Sequence, residues 1–231
     1  MLRKTKLIMQ SAFPKSAAVF ARSKEKVLSS YHGVGYVGNI FSKIYRKNEW
    51  NCPESRSGRC ATVEATGLVR QQLPSLLKRL GIKVLLDAPC GDFNWMQHVE
   101  LNLDKYIGAD IVPDLIERNQ NVHSKEGREF IVLDITKDEF PIVDLVLCRD
   151  CLIHLSLDYI AAAIANFKKS RSKYLLTTTY TLTRQNKDIL TGDCRFINLQ
   201  IEPFHFPEPL ELIIEEPEHG KSLALWRIED L

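Results

Sequence analysis

Residues 84–95 read VLLDAPCGDFNW, an apolar run closed by Asp87 and followed by a short turn. An apolar strand running into a tight turn is the entrance to a nucleotide site in open α/β sheets, where glycines let the backbone approach a pyrophosphate. Here the slots that such a loop fills with glycine hold Pro89, Gly91 and Phe93. The turn is either a phosphate loop short of glycines or a loop for a different ligand.

Downstream of this stretch, short apolar runs alternate with amphipathic ones. The runs are VLLDA, YIGAD, FIVLDI, DLVLCRD and YLLTTTY, and PDLIERNQNVH and SLDYIAAAIANFKKS between them read as helices. Pro113 suits a first helical turn and Ser156 an N-cap. Strands that are apolar on both faces belong in a parallel sheet covered by helices on both sides. PLELIIEE and KSLALWRIED, separated by a turn with Pro217 and Gly220, read as a final hairpin that adds antiparallel strands. Upstream, EATGLVRQQLPSLLKRLG reads as a helix interrupted at Pro74 and ended by Gly81. The expected fold is α/β, a Rossmann-like doubly wound, mainly parallel seven-stranded sheet with a C-terminal antiparallel hairpin.

The chain has 231 residues, 45% of them hydrophobic and 26% charged, which suits a globular chain with a full core. We expect a basic N-terminal extension over 1–48 and one domain over 49–231, with 49–66 a polar loop able to act as a lid. Up to Lys26 the basic residues are Arg3, Lys4, Lys6, Lys15, Arg22, Lys24 and Lys26, against Glu25 alone. That start fits a solvated terminus, a peripheral contact with a membrane surface, or a mitochondrial transit peptide. Its apolar stretch is broken by Gln10, Pro14 and Lys15, against a secretory signal. A net charge of +2 disfavours a nucleic-acid partner. Six sparse cysteines argue for a reducing compartment, and we expect a cytoplasmic protein.

In an open parallel sheet, ligands bind beyond the carboxyl ends of the strands. Asp87, Asp110, Asp134 and the pair Arg149–Asp150 fall there in succession. Taken singly, an aspartate after a strand is most often a cap or turn residue, and it is their joint arrangement that points to a ligand. Asp110 follows the first turn at about the 20-residue spacing that lets a carboxylate accept from ribose hydroxyls. A dinucleotide would set its pyrophosphate on the N-terminus of the first helix, a position that already carries Asp92. A nucleoside with positive charge meets no such repulsion.

VLLDAPCGDFNW resembles, in variant form, the first motif of class I S-adenosylmethionine-dependent methyltransferases. YIGAD, FIVLDI and DLVLCRDCLIHL resemble later motifs of that family, and the likeness runs over residues 68–231. It implies that Asp87, Pro89 and Gly91 line the methionine end of S-adenosylmethionine, that Asp110 and Ile111 meet the ribose, and that Asp134 and Ile135 meet the adenine. Arg149 would meet the cofactor carboxylate or a substrate anion. It further implies methyl transfer, which we expect on oxygen, to a small molecule or a glycan.

For the reacting end, Asp150 and His154 stand four apart and would share a face if the chain turned helical there. His154 is then a base toward a hydroxyl and Asp150 its partner, or the two are a packed histidine and a cap. Trp95, Arg195 and Asn198 are the candidate substrate contacts. Cys148 and Cys151 form a C-x-x-C that could alternatively be a dithiol redox site, and Cys52 and Cys60 are spaced too widely for a zinc knuckle. The competing functions are a nicotinamide-dependent oxidoreductase and a cofactor-binding scaffold without chemistry.

Overall fold

The seven strands lie in the order β3-β2-β1-β4-β5-β7-β6 in a computed structural model that describes residues 35–231. They are β1 (Val84–Asp87), β2 (Lys105–Asp110), β3 (Arg128–Val132), β4 (Leu145–Cys148), β5 (Tyr174–Tyr180), β6 (Glu211–Glu216) and β7 (Lys221–Arg227). The first five are parallel, and β7 enters antiparallel between β5 and β6. The alternation of apolar runs therefore reads correctly, and so does the final hairpin. The basic N-terminal segment up to residue 34 lies outside the described residues.

Among the described residues four α-helices accompany the sheet: α1 (Gly35–Lys47), α2 (Gly67–Leu80), α3 (Pro113–His123) and α4 (Leu157–Lys169). Two helix expectations are corrected. Pro74 sits inside an unbroken α2, which ends at Gly81 in the left-handed conformation (φ 66°). Ser156 occupies the N-cap position of α4 but makes no side-chain cap bond; Asp188 accepts the Leu157 N–H at 2.8 Å instead.

The central strands are buried throughout. Leu85, Leu86, Leu145, Val146, Leu147, Leu175 and Leu176 have no exposed surface, so neither face of the sheet meets water there. The chain leaves β3 at one edge and returns to β4 beside β1. That reversal opens a crevice above the carboxyl ends of β1 and β4, the place where open α/β sheets hold ligands. Among the described residues no helix is long and apolar enough to cross a membrane.

Between β1 and β2 the structure departs from a doubly wound unit. The only helical turn is the 3-10 segment Met96–His98, so no α-helix starts behind the first turn. Phe93 explains why. Its ring is fully buried, edge-on to Tyr106 and Phe130, with the Arg128 guanidinium 4.8 Å above it. A third glycine would let a helix pack closely onto β1, whereas Phe93, at φ 60°, plugs the core at that point.

Candidate active site at the strand ends

At the end of β1, Asp87 is 2% exposed and accepts a 2.6 Å hydrogen bond from the Tyr106 hydroxyl. Burial pushes its carboxyl up to about 7 against the pull of that bond, and the Asp110 charge pushes the same way. Asp110, ending β2, accepts N–H groups from Gly91 at 3.2 Å and Val112 at 3.0 Å. Burial still raises it to about 6. Among the described residues neither side chain has an ion-pair partner. Two desolvated carboxylates that repel each other thus stand at neighbouring strand ends without a paired cation among the described residues, which is costly unless a positive ligand completes the site.

The turn itself is set by backbone geometry. The Ala88–Pro89 peptide is cis, and Gly91 is left-handed at φ 54°. A Cβ on Gly91 would lie 2.2 Å from the Ser57 Oγ. Asn119, from α3, holds the Gly91 carbonyl at 2.8 Å. Only glycine satisfies both the conformation and the space.

Asp92 has a different job from the one its sequence position suggested. With no helix behind the turn, its charge does not sit on a helix N-terminus. Its carboxylate accepts Ser55 Oγ at 2.9 Å, the Arg56 N–H at 2.7 Å and Ser57 Oγ at 3.3 Å. Asn94 adds bonds to Glu54 and to the Ala61 carbonyl. The loop spanning 49–66 is therefore anchored across the first turn.

Asp134 and Ile135 follow β3. Thr136 gives Asp134 its N–H at 2.9 Å and its hydroxyl at 2.6 Å, so this carboxylate caps its own turn and one of its oxygens is spent. Ile135 is 8% exposed and Ile111 is half-buried beside Asp110.

At the end of β4 the structure corrects several expectations. Arg149 is buried, with its guanidinium on Glu215 of β6, on the Cys60 carbonyl at 2.9 Å and on Asp150 at 3.1 Å. It has no fork left for a ligand carboxylate. Asp150 takes a left-handed conformation (φ 50°) and accepts Lys221 Nζ at 2.9 Å; Lys221 is 1% exposed. Burial would raise the Asp150 carboxyl, but Arg149 and Lys221 outweigh it and hold it below the usual range. It is a fixed anion and a poor base.

Asp150 and His154 do not share an α-helical face, because the chain between them turns into the 3-10 segment Leu152–His154. His154 Nδ1 lies 2.9 Å from the Asp193 carbonyl oxygen, which can only accept. The tautomer assigned from that contact carries its proton on Nδ1, leaving the Nε2 lone pair unused. Burial lowers the ring's pKa, so it is neutral at pH 7. Trp50 packs against it with ring centroids 5.2 Å apart.

The three expected substrate contacts are all engaged within the protein. Trp95 is 6% exposed beneath Arg149. Arg195 spends its guanidinium on the carbonyls of Leu152, Leu155 and Lys187. Asn198 spends its amide on Thr181, Thr183 and the Gln200 N–H. All six cysteines are free thiols. A hydrogen bond with Cys148 and burial push the Cys151 thiol well up, the reverse of a reactive dithiol.

Sequence reasoning missed Ser55, Asn119, Tyr106, Glu215 and Lys221. Only Lys221, a lysine heading the apolar run KSLALW, carries a visible signal.

No family model and no curated protein matches the chain. Solved structures do. The N-methyltransferase NodS from Bradyrhizobium japonicum, with S-adenosylhomocysteine, superposes with a TM-score of 0.58 at 14% identity, over 81% of this chain and 98% of that one. Human N-acetylserotonin methyltransferase, with S-adenosylmethionine, gives 0.58 at 12% identity over 81% of this chain and 58% of the other. The Burkholderia thailandensis 1,6-didemethyltoxoflavin-N1-methyltransferase gives 0.53 at 16% identity over 94% and 91%. The sheet order with its reversed last strand and these superpositions identify the fold as that of the class I S-adenosylmethionine-dependent methyltransferases.

Proposed function

We propose that the protein is an S-adenosylmethionine-dependent methyltransferase that modifies a hydroxyl of a small molecule or glycan. The observation that carries this reading is the pair of buried carboxylates, Asp87 and Asp110, with no counter-cation beside a turn where Gly91 leaves the backbone open. Such a site suits an adenosine ligand bearing ammonium and sulfonium charge and repels a pyrophosphate. S-adenosylmethionine, when bound, supplies a methyl group already activated on sulfur. Asp87 would take its ammonium group, Asp110 the ribose hydroxyls with Ile111 alongside, and Asp134 with Ile135 the adenine edge.

An alcohol must lose its proton to attack a methyl group, and aligning that step is most of what the protein has to do. His154 is suited to receive the proton at Nε2, since Nδ1–H is held by the Asp193 carbonyl. The Asp150 charge then favours the protonated ring. Asp150 thereby acts on His154 and is not itself the base.

A non-catalytic scaffold is the second reading, because Asp150 is already consumed by Lys221 and Arg149. Calorimetry with S-adenosylhomocysteine and with NAD tests the cofactor; binding of NAD alone would overturn the proposal. A labelled-methyl screen over cell extract, run with wild type and His154→Ala, tests the chemistry. Loss of labelling by about 100-fold or more with cofactor affinity intact is expected for a general base. Equal labelling by both would remove His154 from the mechanism.

A further inference from the structure

A second region has the opposite polarity to the strand ends. A cleft of about 420 Å³ borders the anchored loop, and three separate elements each send a guanidinium into its wall: Arg46 from the last turn of α1, Arg56 from the loop and Arg118 from α3. All three are solvent-accessible. Arg46 gives its Nε to Asp114 at 3.0 Å and has the rest of its fork open. The side chains of Arg56 and Arg118 have no hydrogen-bond or ion-pair partner among the described residues.

The two carboxylates on the same wall make no ion pair with these cations. Asp92 is engaged by Ser55, Ser57 and the Arg56 backbone, and Glu54 accepts the Val63 N–H at 2.6 Å and Asn94 at 2.8 Å. The anchoring of the loop fixes the Arg56 backbone on the cleft that Arg46 and Arg118 also line. Three guanidinium groups against two carboxylates leave the wall with an excess of positive charge, and an oxyanion bound by the arginines answers that excess. Guanidinium forks match the oxygens of a phosphate in pairs, and the volume suits a small molecule better than a bare ion.

We propose that this cleft is a binding site for a phosphorylated small molecule, separate from the carboxylate-lined strand ends. The strand ends, with Asp87, Asp110 and Asp134, repel a phosphate; this cleft attracts one. Whether the phosphate belongs to the acceptor or to an effector, the recognising chemistry is the same.

The test is calorimetry on the full chain at low salt with inorganic phosphate and with glucose 1-phosphate as probes. Both should bind, the sugar phosphate more tightly, and the double variant Arg56→Gln/Arg118→Gln should weaken both at least about tenfold, a loss of about 1.4 kcal/mol or more. An unchanged melting temperature shows that the variant is folded. If neither probe binds, or the double variant binds as well as wild type, the site does not exist. Equal affinity for the two probes would mean a site for the free ion only and would overturn the assignment to a phosphorylated molecule. Displacement of phosphate by S-adenosylhomocysteine would overturn the separateness of the cleft. Failure of S-adenosylhomocysteine to bind at all would strike the methyl-transfer reading and leave the phosphate result standing.

Discussion

The Asp92 carboxylate accepts the backbone N–H of Arg56 at 2.7 Å, so one side chain in the turn after β1 fixes a loop 36 residues upstream. Two serine hydroxyls complete the contact. The loop and the turn are thus one unit.

Asp92→Ala removes the carboxylate that accepts from Ser55, Arg56 and Ser57, and leaves the Asn94 contacts to the loop in place. Hydrogen bonds to a charged group contribute about 1.5–3 kcal/mol each, less where solvent reaches them, and we expect a net loss of about 2–4 kcal/mol in denaturant unfolding. Limited proteolysis should then cut first between residues 52 and 60. Wild-type stability and an uncut loop in the variant would show that the anchoring carries no weight.

Gly91→Ala forces a side chain into the left-handed region, at about 1–2 kcal/mol, and drives its Cβ onto the Ser57 Oγ. S-adenosylhomocysteine affinity should fall at least about tenfold. Adding Ser57→Gly relieves the contact but not the conformation, so the double variant should recover part of the thermal stability. A single variant that binds and melts like wild type contradicts the assigned geometry.

Stability should depend on pH through Asp87. Its carboxyl stands at about 7 in the folded chain and ordinarily at 3.8, so the folded state keeps a proton that the unfolded state has released. Stability therefore falls as pH rises from about 4 to about 7, by up to about 4 kcal/mol, and Asp110 adds a smaller effect of the same sign. Asp87→Asn keeps an acceptor for the Tyr106 hydroxyl without the charge. It should melt higher than wild type at pH 8, converge with it near pH 4, and lose S-adenosylhomocysteine binding. Parallel melting curves for the two proteins across that range would refute the assignment.

Lys221→Met should be severe because it leaves Asp150 and Glu215 facing Arg149 alone inside the molecule. Breaking a buried ion pair costs about 3–5 kcal/mol. Adding Asp150→Asn removes one of the stranded charges and should restore part of the loss in urea melts. Strictly additive losses would mean that the two side chains do not interact.

The sheet was legible because its central strands are buried on both faces and must be apolar along nearly their whole length, which a sequence displays openly. Asp87, Asp110 and Asp134 were legible for a related reason: a polar residue closing an apolar run marks a strand end. Other features depend on which oxygen meets which hydrogen across the fold. Arg195 and Asn198 sit in a loop rich in aromatic residues and look available, yet backbone carbonyls far away in sequence consume them. Arg149 likewise finds Glu215, 66 residues on, and no spacing rule announces such a meeting. Phe93 is the instructive case, since a missing glycine looked like a property of the ligand loop and proved to be a demand of the core.

The position of β7 between β5 and β6 sets a rule for the order of assembly. β6 precedes β7 in the chain but reaches the sheet only through it, pairing along Glu211–Glu216 with a strand not yet synthesised when β6 emerges. Lys221, the first residue of β7, also brings the ammonium group that Asp150 requires. A nascent chain halted after β6 would hold a parallel sheet with β5 uncovered and an aspartate short of its cation, so the reacting end and the last interior strand must be completed together.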